Sequence, residues 1–520
     1  MSPLPPATPA PTAQATPTPS AFPAPRTLAE LRARLQEIVR QPGLAPALYG
    51  VKVASLDTGQ VLFEENANKL LVPASNMKLY TVAAALDRLT PDFRFVTSVY
   101  AAERPNATGT VRGDLTIYGR GDPTFAMRFN DGDYYKAVED LAARIVAAGV
   151  KRVEGDLIGD ESYFNGATLG PGWEWDDLQW YYGAEVSALT VNDNAIDLFV
   201  KPGGRAGAAA QVTTGPIGSL IRVVAPRGYE DVPAAGGFIT FVNRTTTAAR
   251  GAKRELVVNR PLGSSVIEVS GALPLDDPGY SASVAAPRPT LLFAAMLRLA
   301  LEHQGVSVKG RTRTVDARAR ATAPLDMTKL VELAQRQSPP LSEVAAQTLK
   351  PSQNLYTELI LRTLGKQALN ADPKLSSAEA GTAVVKIFLG EAGVDVSLLS
   401  FVDGSGLSRS NLVTADSSLR LLTYMSRHRF AQVFRDALPI AGVDGTLRAR
   451  MKNTPAAGNV RAKTGTLNNV AALSGYVNSA AGERLVFSVI YNHQPAEGDL
   501  RRTYLDAVAA LLASFAGKSQ

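Results

Sequence analysis

The sequence has no cysteine and only three histidines among its 520 residues. The lack of cysteine excludes disulfides, thiolate metal sites and thiol nucleophiles, and it leaves the redox compartment undetermined. His303, His428 and His493 stand in none of the spaced patterns that bind zinc, and no nucleotide-binding glycine fingerprint occurs. Zinc-dependent and nucleotide-dependent chemistry are therefore disfavoured, and we predict no metal site.

Long apolar runs are also missing, since no stretch reaches the roughly 18 residues that a membrane-spanning helix needs. The charges nearly balance: 54 basic residues face 48 acidic ones, and no basic run favours nucleic-acid binding. We therefore expect no transmembrane segment and no nucleic-acid partner. With 45% hydrophobic residues, a chain of this length can bury a large core, and its length favours two or three domains.

Residues 1–26 are rich in proline, alanine and threonine, a composition that gives an extended tether rather than a packed element. They contain no basic segment followed by an apolar one, so no signal peptide is visible. Tethers of this kind commonly follow an export signal or an anchor. We expect an exported protein, periplasmic or associated with the cell envelope, whose natural start lies upstream of Met1. The alternative is a cytoplasmic protein with an unexplained tail.

Local patterns predict the first elements after this tail. Residues 27–41 have apolar positions at helical spacing behind Thr27, and Glu30 completes a capping box, which predicts a helix. Alternating residues on both sides of Asp57-Thr-Gly59 predict a β-hairpin. The segment "NMKLYTVAAALDRL" then predicts a second helix.

From residue 96 to 330 the sequence changes to short β runs separated by glycine, aspartate and proline. Two helical segments follow, and the chain ends in a strand, strand, helix pattern. Helices and strands at both ends of the chain, with a β-rich middle between them, favour an α+β fold with one discontinuous domain. We assign residues 27–95 and 331–517 to that domain, and residues 96–330 to a β-rich insertion of one or two subdomains.

Ser75 and Lys78, in "VPASNMKLY", are three residues apart at the start of the second predicted helix. Residues at i and i+3 share a helix face, so the amine can reach the hydroxyl. A lysine that is buried or beside another cation loses its proton more readily and can act as a base. Alone the pattern is weak, because about one S-x-x-K match is expected by chance in a chain of this length, usually as a solvated helix face.

Two further motifs, each occurring once, strengthen this pair: Ser352-Gln-Asn354 and Lys463-Thr-Gly465. The order S-x-x-K, S-x-N, K-T-G is that of serine β-lactamases and penicillin-binding proteins. Ser352 can relay protons between the lysines and a leaving group, and the Asn354 amide can orient Lys78 and a substrate carbonyl. On an edge strand, Lys463 would lower the pKa of Lys78 and attract a carboxylate. We predict that burial and Lys463 together keep Lys78 largely neutral in the resting site.

The residues after Lys463 have their own predicted roles in substrate binding. Thr464 and Thr466 offer hydroxyls to the carboxylate of a substrate, and Gly465 has no side chain, which lets substrate approach the backbone. The backbone N–H groups of Ser75 and Thr466 would form the oxyanion hole.

With these motifs the sequence resembles the low-molecular-mass class C penicillin-binding proteins, the D-alanyl-D-alanine carboxypeptidase/endopeptidase family, over residues 27–517. The segments "YGAEVSALTVNDN" at 182–194, "SQNLYTELILRTLG" and "DGSGLSRSNLVTA" also carry the resemblance. Ser352 lies 277 positions beyond Ser75, whereas β-lactamases have only a short helical segment there. Gln353 departs from the Asp or Asn that the family often has. The resemblance implies a β-lactamase/transpeptidase-like domain, an antiparallel sheet with helices on both faces.

The resemblance also implies a serine D-Ala-D-Ala carboxypeptidase that acts on peptidoglycan stem peptides. Ser75 would attack the carbonyl, D-Ala would leave, water would hydrolyse the acyl-enzyme, and β-lactam inhibitors would trap Ser75 as a slow adduct. No metal or organic cofactor is implied. Some relatives also cut the D-Ala to diaminopimelate crosslink as D,D-endopeptidases. Two alternatives stay open: a β-lactamase or esterase on the same fold, and a catalytically inert wall-binding scaffold.

All three tryptophans lie in "WEWDDLQW" at 173–180, and two tyrosines follow. Aromatic rings beside carboxylates can cradle an aliphatic side chain and pair with its ammonium. In similar class C enzymes this region contributes to a pocket for the amino end of diaminopimelate. By spacing, we predict that Trp173, Asp176, Tyr181 and Arg409 form such a rim. The alternative is that these rings pack the core of the insertion.

Overall fold

The structure, a computed structural model, describes residues 24–215, 220–224, 238–368, 372, 374–493 and 500–520, so residues 1–23 of the predicted tether lie outside it. The helices of the described part are α1 (Leu28–Val39), α2 (Met77–Leu89), α3 (Lys136–Ala147), α4 (Pro289–His303), α5 (Ala317–Thr322), α6 (Leu341–Leu349), α7 (Asn354–Gln367), α8 (Ser377–Glu391), α9 (Ala415–Arg427), α10 (Ala431–Asp436) and α11 (Leu500–Ser514). None of these helices has the combined length and apolar character of a membrane span.

The strands form five sheets within the described residues. They are β1 (Leu48–Ser55), β2 (Val61–Glu65), β3 (Val96–Ala101), β4 (Thr110–Val111), β5 (Leu115–Tyr118), β6 (Arg152–Val153), β7 (Leu157–Asp160), β8 (Ala195–Lys201), β9 (Gln211–Thr214), β10 (Ile221–Val224), β11 (Ile239–Ala248), β12 (Glu255–Asn259), β13 (Val266–Pro274), β14 (Tyr280–Ala285), β15 (Ser307–Val308), β16 (Thr312–Val315), β17 (Val331–Gln337), β18 (Arg461–Leu467), β19 (Val470–Asn478) and β20 (Arg484–Asn492).

One five-stranded antiparallel sheet joins the two ends of the chain. Its strand order is β18-β19-β20-β1-β2. β1 pairs with β20 over its whole length, from Leu48 opposite Asn492 to Ser55 opposite Leu485. β19 and β20 are buried at nearly every position, as expected for strands that are covered on both faces. β18 is an edge strand, as predicted for the strand that carries Lys463.

Alternate residues of this sheet face two different cores, as the pleat requires. On one face, Val51 and Val489 pack with residues of α1 and α11. On the other face, Ala54 and Ile490 pack with residues of α2, α6, α7, α8 and α9. The predicted α+β fold, with an antiparallel sheet between helical layers, is confirmed.

The middle of the chain builds the other four sheets. Their strand orders are β16-β7-β5-β3-β17, β10-β11-β13-β12, β14-β8-β9 and β15-β6-β4. Parallel and antiparallel pairs are mixed, since β5 is parallel to β7 and antiparallel to β3. Residues of α3 and α4 share one large hydrophobic cluster with these strands. β17 returns to pair with β3 just before the chain enters α6.

The three local predictions near the start of the chain are confirmed. The Thr27 hydroxyl accepts from the Glu30 amide, and the Glu30 carboxylate accepts from the Thr27 amide, which is the predicted capping box of α1. β1 and β2 form the predicted hairpin. Its turn contains Gly59 at φ 76°, a conformation that glycine adopts without steric cost. The second predicted helix is α2.

Candidate active site

Ser75 lies in a short 3-10 turn, Ala74–Asn76, immediately ahead of α2. Ala74 has φ of 48°, a left-handed conformation that is uncommon for a residue with a side chain. The turn leaves Ser75 half-buried, whereas Lys78 is wholly buried. Lys78 Nζ lies 2.9 Å from Ser75 Oγ. The structure therefore brings the first predicted pair into hydrogen-bonding contact.

Two further acceptors surround the Lys78 amine. Its Nζ lies 2.6 Å from Asn354 Oδ1 and 2.6 Å from the backbone carbonyl oxygen of Ser405. Both oxygens can only accept hydrogen bonds. A neutral amine donates one proton to each of them, and its lone pair is then left for the hydroxyl proton of Ser75. The arrangement therefore suits Lys78 as the base that activates Ser75.

Burial lowers the pKa of Lys78 from its usual range to about 7, although the negative charges of Asp403 and Glu358 act in the opposite direction. Burial, followed by the charge of Lys78, lowers the pKa of Lys463 well below its usual range, so the two amines disfavour each other's charged form. Burial, one of the two predicted causes, thus lowers the pKa of Lys78, and the contribution of Lys463 stays a prediction.

Ser352 and Lys463 form the second pair. Lys463 is fully buried on β18, and its Nζ donates to Ser352 Oγ at 2.9 Å and to the Thr464 carbonyl at 2.9 Å. Ser352 has φ of 67°, a left-handed backbone conformation. Ala74, the residue before Ser75, has the same kind of conformation, so each of the two hydroxyls lies on or beside a left-handed residue. Strained backbone of this kind is often found at active sites. The S-x-N segment runs directly into α7, whose first residue is Asn354.

The predicted catalytic residues therefore fall into two hydrogen-bonded groups. The first is Ser75, Lys78 and Asn354, and the second is Ser352 and Lys463. The chain joins the two groups, because only one residue separates Ser352 from Asn354.

Gly465 packs β18 closely against the turn that carries Ser75. A Cβ added at Gly465 would lie 2.4 Å from the carbonyl oxygen of Pro73 and 3.3 Å from the Cβ of Ala74. The position therefore requires glycine because the backbone of the turn lies against it. The prediction that Gly465 admits substrate to the backbone is corrected, since the missing side chain would point toward the protein.

The two threonines of the K-T-G strand have different surroundings. Thr464 is buried, and its hydroxyl donates to the Thr446 hydroxyl at 2.8 Å. Thr466 is exposed, so its hydroxyl is accessible to a ligand. No motif marks Thr446, which reaches the strand from the segment between α10 and β18.

The structure brings Trp173 and Arg409 of the predicted rim together. Arg409 Nε donates to Glu174 Oε1 at 2.8 Å, and its Nη1 donates to the carbonyl of Asn468 at 3.1 Å, one residue beyond β18. The neighbouring Trp173 donates its indole N–H to Asp403 Oδ2 at 2.8 Å. This part of the insertion therefore lies beside the end of the K-T-G strand.

Tyr181 lies apart from that pair. It lines a cavity of about 550 Å³ with the ion pair of Arg128 and Asp193. Burial, followed by the negative charge of Asp177, raises the pKa of the next residue, Tyr182, whose backbone carbonyl accepts from the Asn354 side chain at 2.8 Å. Consecutive residues of a 3-10 turn point in different directions, but the rings of Tyr181 and Tyr182 are in contact, with centroids 5.5 Å apart. The assignment of Tyr181 to the rim stays a prediction, and Tyr182 is a further candidate.

Glu174, Asp176 and Asp177 form a cluster that we call the acidic rim. Burial, together with the negative charges of Asp176 and Glu174, raises the pKa of Asp177 to about 6, and the charge of Arg409 acts against this rise. The guanidinium of Arg409 therefore lies near three carboxyl groups. The excess of negative charge favours binding of a cationic ligand. In the part of the chain that the structure describes, no group of three acidic or histidine side chains is arranged to hold a metal ion.

Three contributors to the site were missed in the sequence: Ser405, Asp403 and Glu358. Ser405 acts through a backbone carbonyl, which leaves no mark in residue type. Glu358 is fully buried one turn into α7, where its carboxylate accepts from the amides of Gly404 at 3.0 Å and Ser405 at 2.8 Å. The glycines of "DGSGLS" are the signal for the tight turn that begins at Asp403.

Comparisons with known proteins bear on the family. Residues 31–513 match the family described as D-Ala-D-Ala carboxypeptidase 3 (S13). A D-alanyl-D-alanine carboxypeptidase of Actinomadura sp. is 37% identical over 496 residues, which are 94% of this chain and 86% of the relative.

Solved structures bear on the fold. Penicillin binding protein 4 from Haemophilus influenzae superposes with a TM-score of 0.75 at 24% identity, covering 92% of this chain and 97% of that one. The same protein complexed with a β-lactam gives a TM-score of 0.69 at 22% identity, with 92% and 97% covered. The predicted resemblance is confirmed: the chain belongs to the D-Ala-D-Ala carboxypeptidase 3 (S13) family.

Proposed function

We propose that the protein is a serine D-Ala-D-Ala carboxypeptidase that acts on peptidoglycan stem peptides through an acyl-enzyme at Ser75. The observation that carries the proposal is the buried amine of Lys78, which lies 2.9 Å from the Ser75 hydroxyl and contacts two oxygens that can only accept. Membership of the family and the name of the Actinomadura relative support the same reaction.

In the first step Ser75 gives its hydroxyl proton to Lys78 while its oxygen attacks the carbonyl carbon of the penultimate D-Ala. The carbonyl oxygen becomes an oxyanion, to which we assign the backbone N–H groups of Ser75 and Thr466 as donors. The substrate carboxylate is assigned to Lys463 and the exposed hydroxyl of Thr466, because a buried lysine gains most from a charged partner.

In the second step the C–N bond breaks, and the departing D-Ala nitrogen takes a proton from the Ser352 hydroxyl. Ser352 regains a proton from the lysine pair, with which it is linked through Lys463. Water then attacks the ester while Lys78 takes a proton from it, and as the C–O bond to Ser75 breaks, Lys78 returns that proton to the Ser75 oxygen. The same side chains therefore serve both halves of the cycle.

A β-lactam enters the same path, because its ring amide stands where the scissile amide of the peptide would be. Attack by Ser75 opens the ring C–N bond, but the released nitrogen stays tethered to the acyl group. The leaving group cannot diffuse away, and deacylation is slow. The structure of the Haemophilus protein complexed with a β-lactam supports this part of the proposal.

For the stem peptide we propose a third residue that ends in an ammonium group. The acidic rim supplies the negative charge, the ring of Tyr182 lies near Asp177, and Trp173 directly precedes Glu174. Because peptidoglycan lies outside the cytoplasmic membrane, we place the enzyme in the periplasm or at the cell envelope.

The test is incubation with a labelled penicillin, followed by intact-mass analysis and peptide mapping. A stable adduct on Ser75, with release of D-Ala from a D-Ala-D-Ala peptide, is the expected result. Rapid turnover of the penicillin without an adduct would indicate a β-lactamase or esterase, and no reaction would indicate an inert scaffold. Ser75→Ala must abolish the adduct, or the nucleophile is assigned wrongly.

A further inference from the structure

The carbonyl of Ser405, which contacts the Lys78 amine at 2.6 Å, belongs to a tight turn over residues 403–408. Two buried carboxylates hold this turn: Glu358 accepts from the amides of Gly404 and Ser405, and Asp403 holds the turn from inside. Asp403, which is 2% exposed, accepts four hydrogen bonds from the turn and its flank: from Gly406 N at 2.8 Å, Ser408 N at 2.9 Å, Ser405 Oγ at 3.1 Å and Asn411 Nδ2 at 2.7 Å. These donors take the place of water around a buried charge, so the turn and the carboxylate hold each other in one arrangement.

A fifth donor reaches the same carboxylate from a distant part of the chain. The indole N–H of Trp173 donates to Asp403 Oδ2 at 2.8 Å across 230 positions of sequence. Trp173 directly precedes Glu174 of the acidic rim. One carboxylate therefore fastens both the rim and the turn that contacts the base.

The turn also abuts the nucleophile. A Cβ added at Gly406 would lie 1.9 Å from the carbonyl oxygen of Ala74, the residue before Ser75. The backbones are packed so closely that a shift of the turn displaces the start of α2 as well. A displacement of about 1 Å in a reacting group can cost about a hundredfold in rate.

We propose that Asp403 is a positioning residue for the base: it fixes the Ser405 carbonyl that takes one proton of the Lys78 amine, and Trp173 fastens the acidic rim to it. The lone pair of Lys78 is aimed at Ser75 only while that acceptor stays in place. This inference rests on the proposed function, since it assumes that Lys78 activates Ser75. Asp403 then fixes the position of the acidic rim relative to that of the base, Lys78.

The test compares Trp173→Phe and Asp403→Asn with wild type and with Trp175→Phe. The control removes the same indole N–H from a tryptophan that is 75% exposed. The probe is 6-aminopenicillanic acid, a β-lactam without an acyl side chain, so no side chain is available to occupy the rim. Acylation rates are followed by intact mass from about pH 5.5 to 8.5, a range that spans the midpoint of a titration near pH 7. Folding of each variant is checked by thermal unfolding.

We expect Trp173→Phe to lower the plateau rate about tenfold and to leave the pH midpoint in place, because one hydrogen bond to a charged group is lost without a change of charge. Asp403→Asn lowers the plateau acylation rate further, about a hundredfold. It also moves the acid limb, the part of the profile where the rate falls at low pH, to lower pH. The second effect arises because the Asp403 charge stabilises protonated Lys78, while Glu358 and Lys463 stay unchanged. The limb shift reports the charge of Asp403, whereas a loss of plateau rate in Trp173→Phe at an unchanged unfolding temperature reports the positioning role.

The outcomes separate this inference from the proposed function. If wild type forms no adduct at Ser75, the proposed function fails whatever the variants do. If wild type is acylated and Trp173→Phe reacts with 6-aminopenicillanic acid at the wild-type rate, the positioning role is overturned. The same holds if that variant only raises KM for a peptide. If Asp403→Asn does not fold, Trp173→Phe alone decides.

Discussion

Lys78 Nζ lies 2.9 Å from Ser75 Oγ, and of these two groups the amine is the one that has been removed from water. The hydroxyl remains half-buried and open to a substrate. Burial disfavours the charged ammonium, so desolvation prepares the base. The rate of acylation should therefore depend on pH through the protonation of Lys78.

We expect acylation by a β-lactam to rise with pH over a range centred near the Lys78 pKa of about 7, in which the neighbouring Glu358 also titrates. The sign follows from the chemistry, because only the neutral amine can accept the Ser75 proton. The second-order rate of acylation, measured by quenching and intact mass at each pH, gives the profile. Retention of the full rate well below pH 6 would show that Lys78 is not the base.

Glu358→Gln is expected to move the acid limb of that profile to lower pH. The Glu358 charge raises the pKa of Lys78, so its removal leaves the neutral amine populated at lower pH. The pKa of Glu358 itself is raised by burial and by Asp403 to about 7, so both groups titrate in the same range. Glu139→Gln, at an exposed position of α3, is the matched control. A limb that stays in place would exclude an electrostatic role for Glu358.

The sequence was informative where function depends on residue type at short spacing. S-x-x-K, S-x-N and K-T-G identify side chains that the structure joins by hydrogen bonds. The hairpin and the capping box could be predicted because neighbouring residues alone determine them. The edge position of β18 was predicted from its motif and not from a local pattern.

Features that depend on packing between distant segments could not be read in the same way. The acceptor at Ser405 is a backbone atom, and Gly465 is required by the carbonyl of Pro73, which no spacing in the sequence reveals. Tyr181 and Tyr182 are adjacent residues of the same type in one 3-10 turn, so only the direction of each side chain distinguishes them. The boundary predicted at residue 330 cuts ahead of β17, which pairs with β3, and we propose that the insertion ends after this strand.

Asp122→Ala is expected to lower the free energy of unfolding by about 3–5 kcal/mol, because it leaves a buried guanidinium without its partner. Arg336 on β17 donates to Asp122 at 2.9 Å, with the two side chains 10% and 1% exposed. Urea unfolding measures the change. The control is Asp140→Ala, which breaks an exposed pair with Lys136 and should cost under about 1 kcal/mol. Equal losses in the two variants would contradict the assignment.

Asp177→Asn is expected to raise KM about tenfold for a stem peptide whose third residue ends in an ammonium, because a charged hydrogen-bond partner is lost. A peptide with an uncharged third residue should show no such change. Since the pKa of Asp177 is raised to about 6, the wild-type preference should fade as the pH falls through that value. Steady-state release of D-Ala from the two peptides measures the effect. An equal change for both peptides would place the acidic rim outside the substrate site.

Gly465→Ala tests whether the K-T-G strand must lie against the turn that carries Ser75. The added methyl would meet the Pro73 carbonyl at 2.4 Å, and neither backbone can move without displacing β18 or α2. We expect acylation to fall about a hundredfold, since Lys463 and the oxyanion donors shift together relative to Ser75. Gly113→Ala is the matched control, because its Cβ would have no atom within 4 Å. If Gly465→Ala keeps the wild-type acylation rate, the strand tolerates displacement and the close approach does not set the geometry of the site.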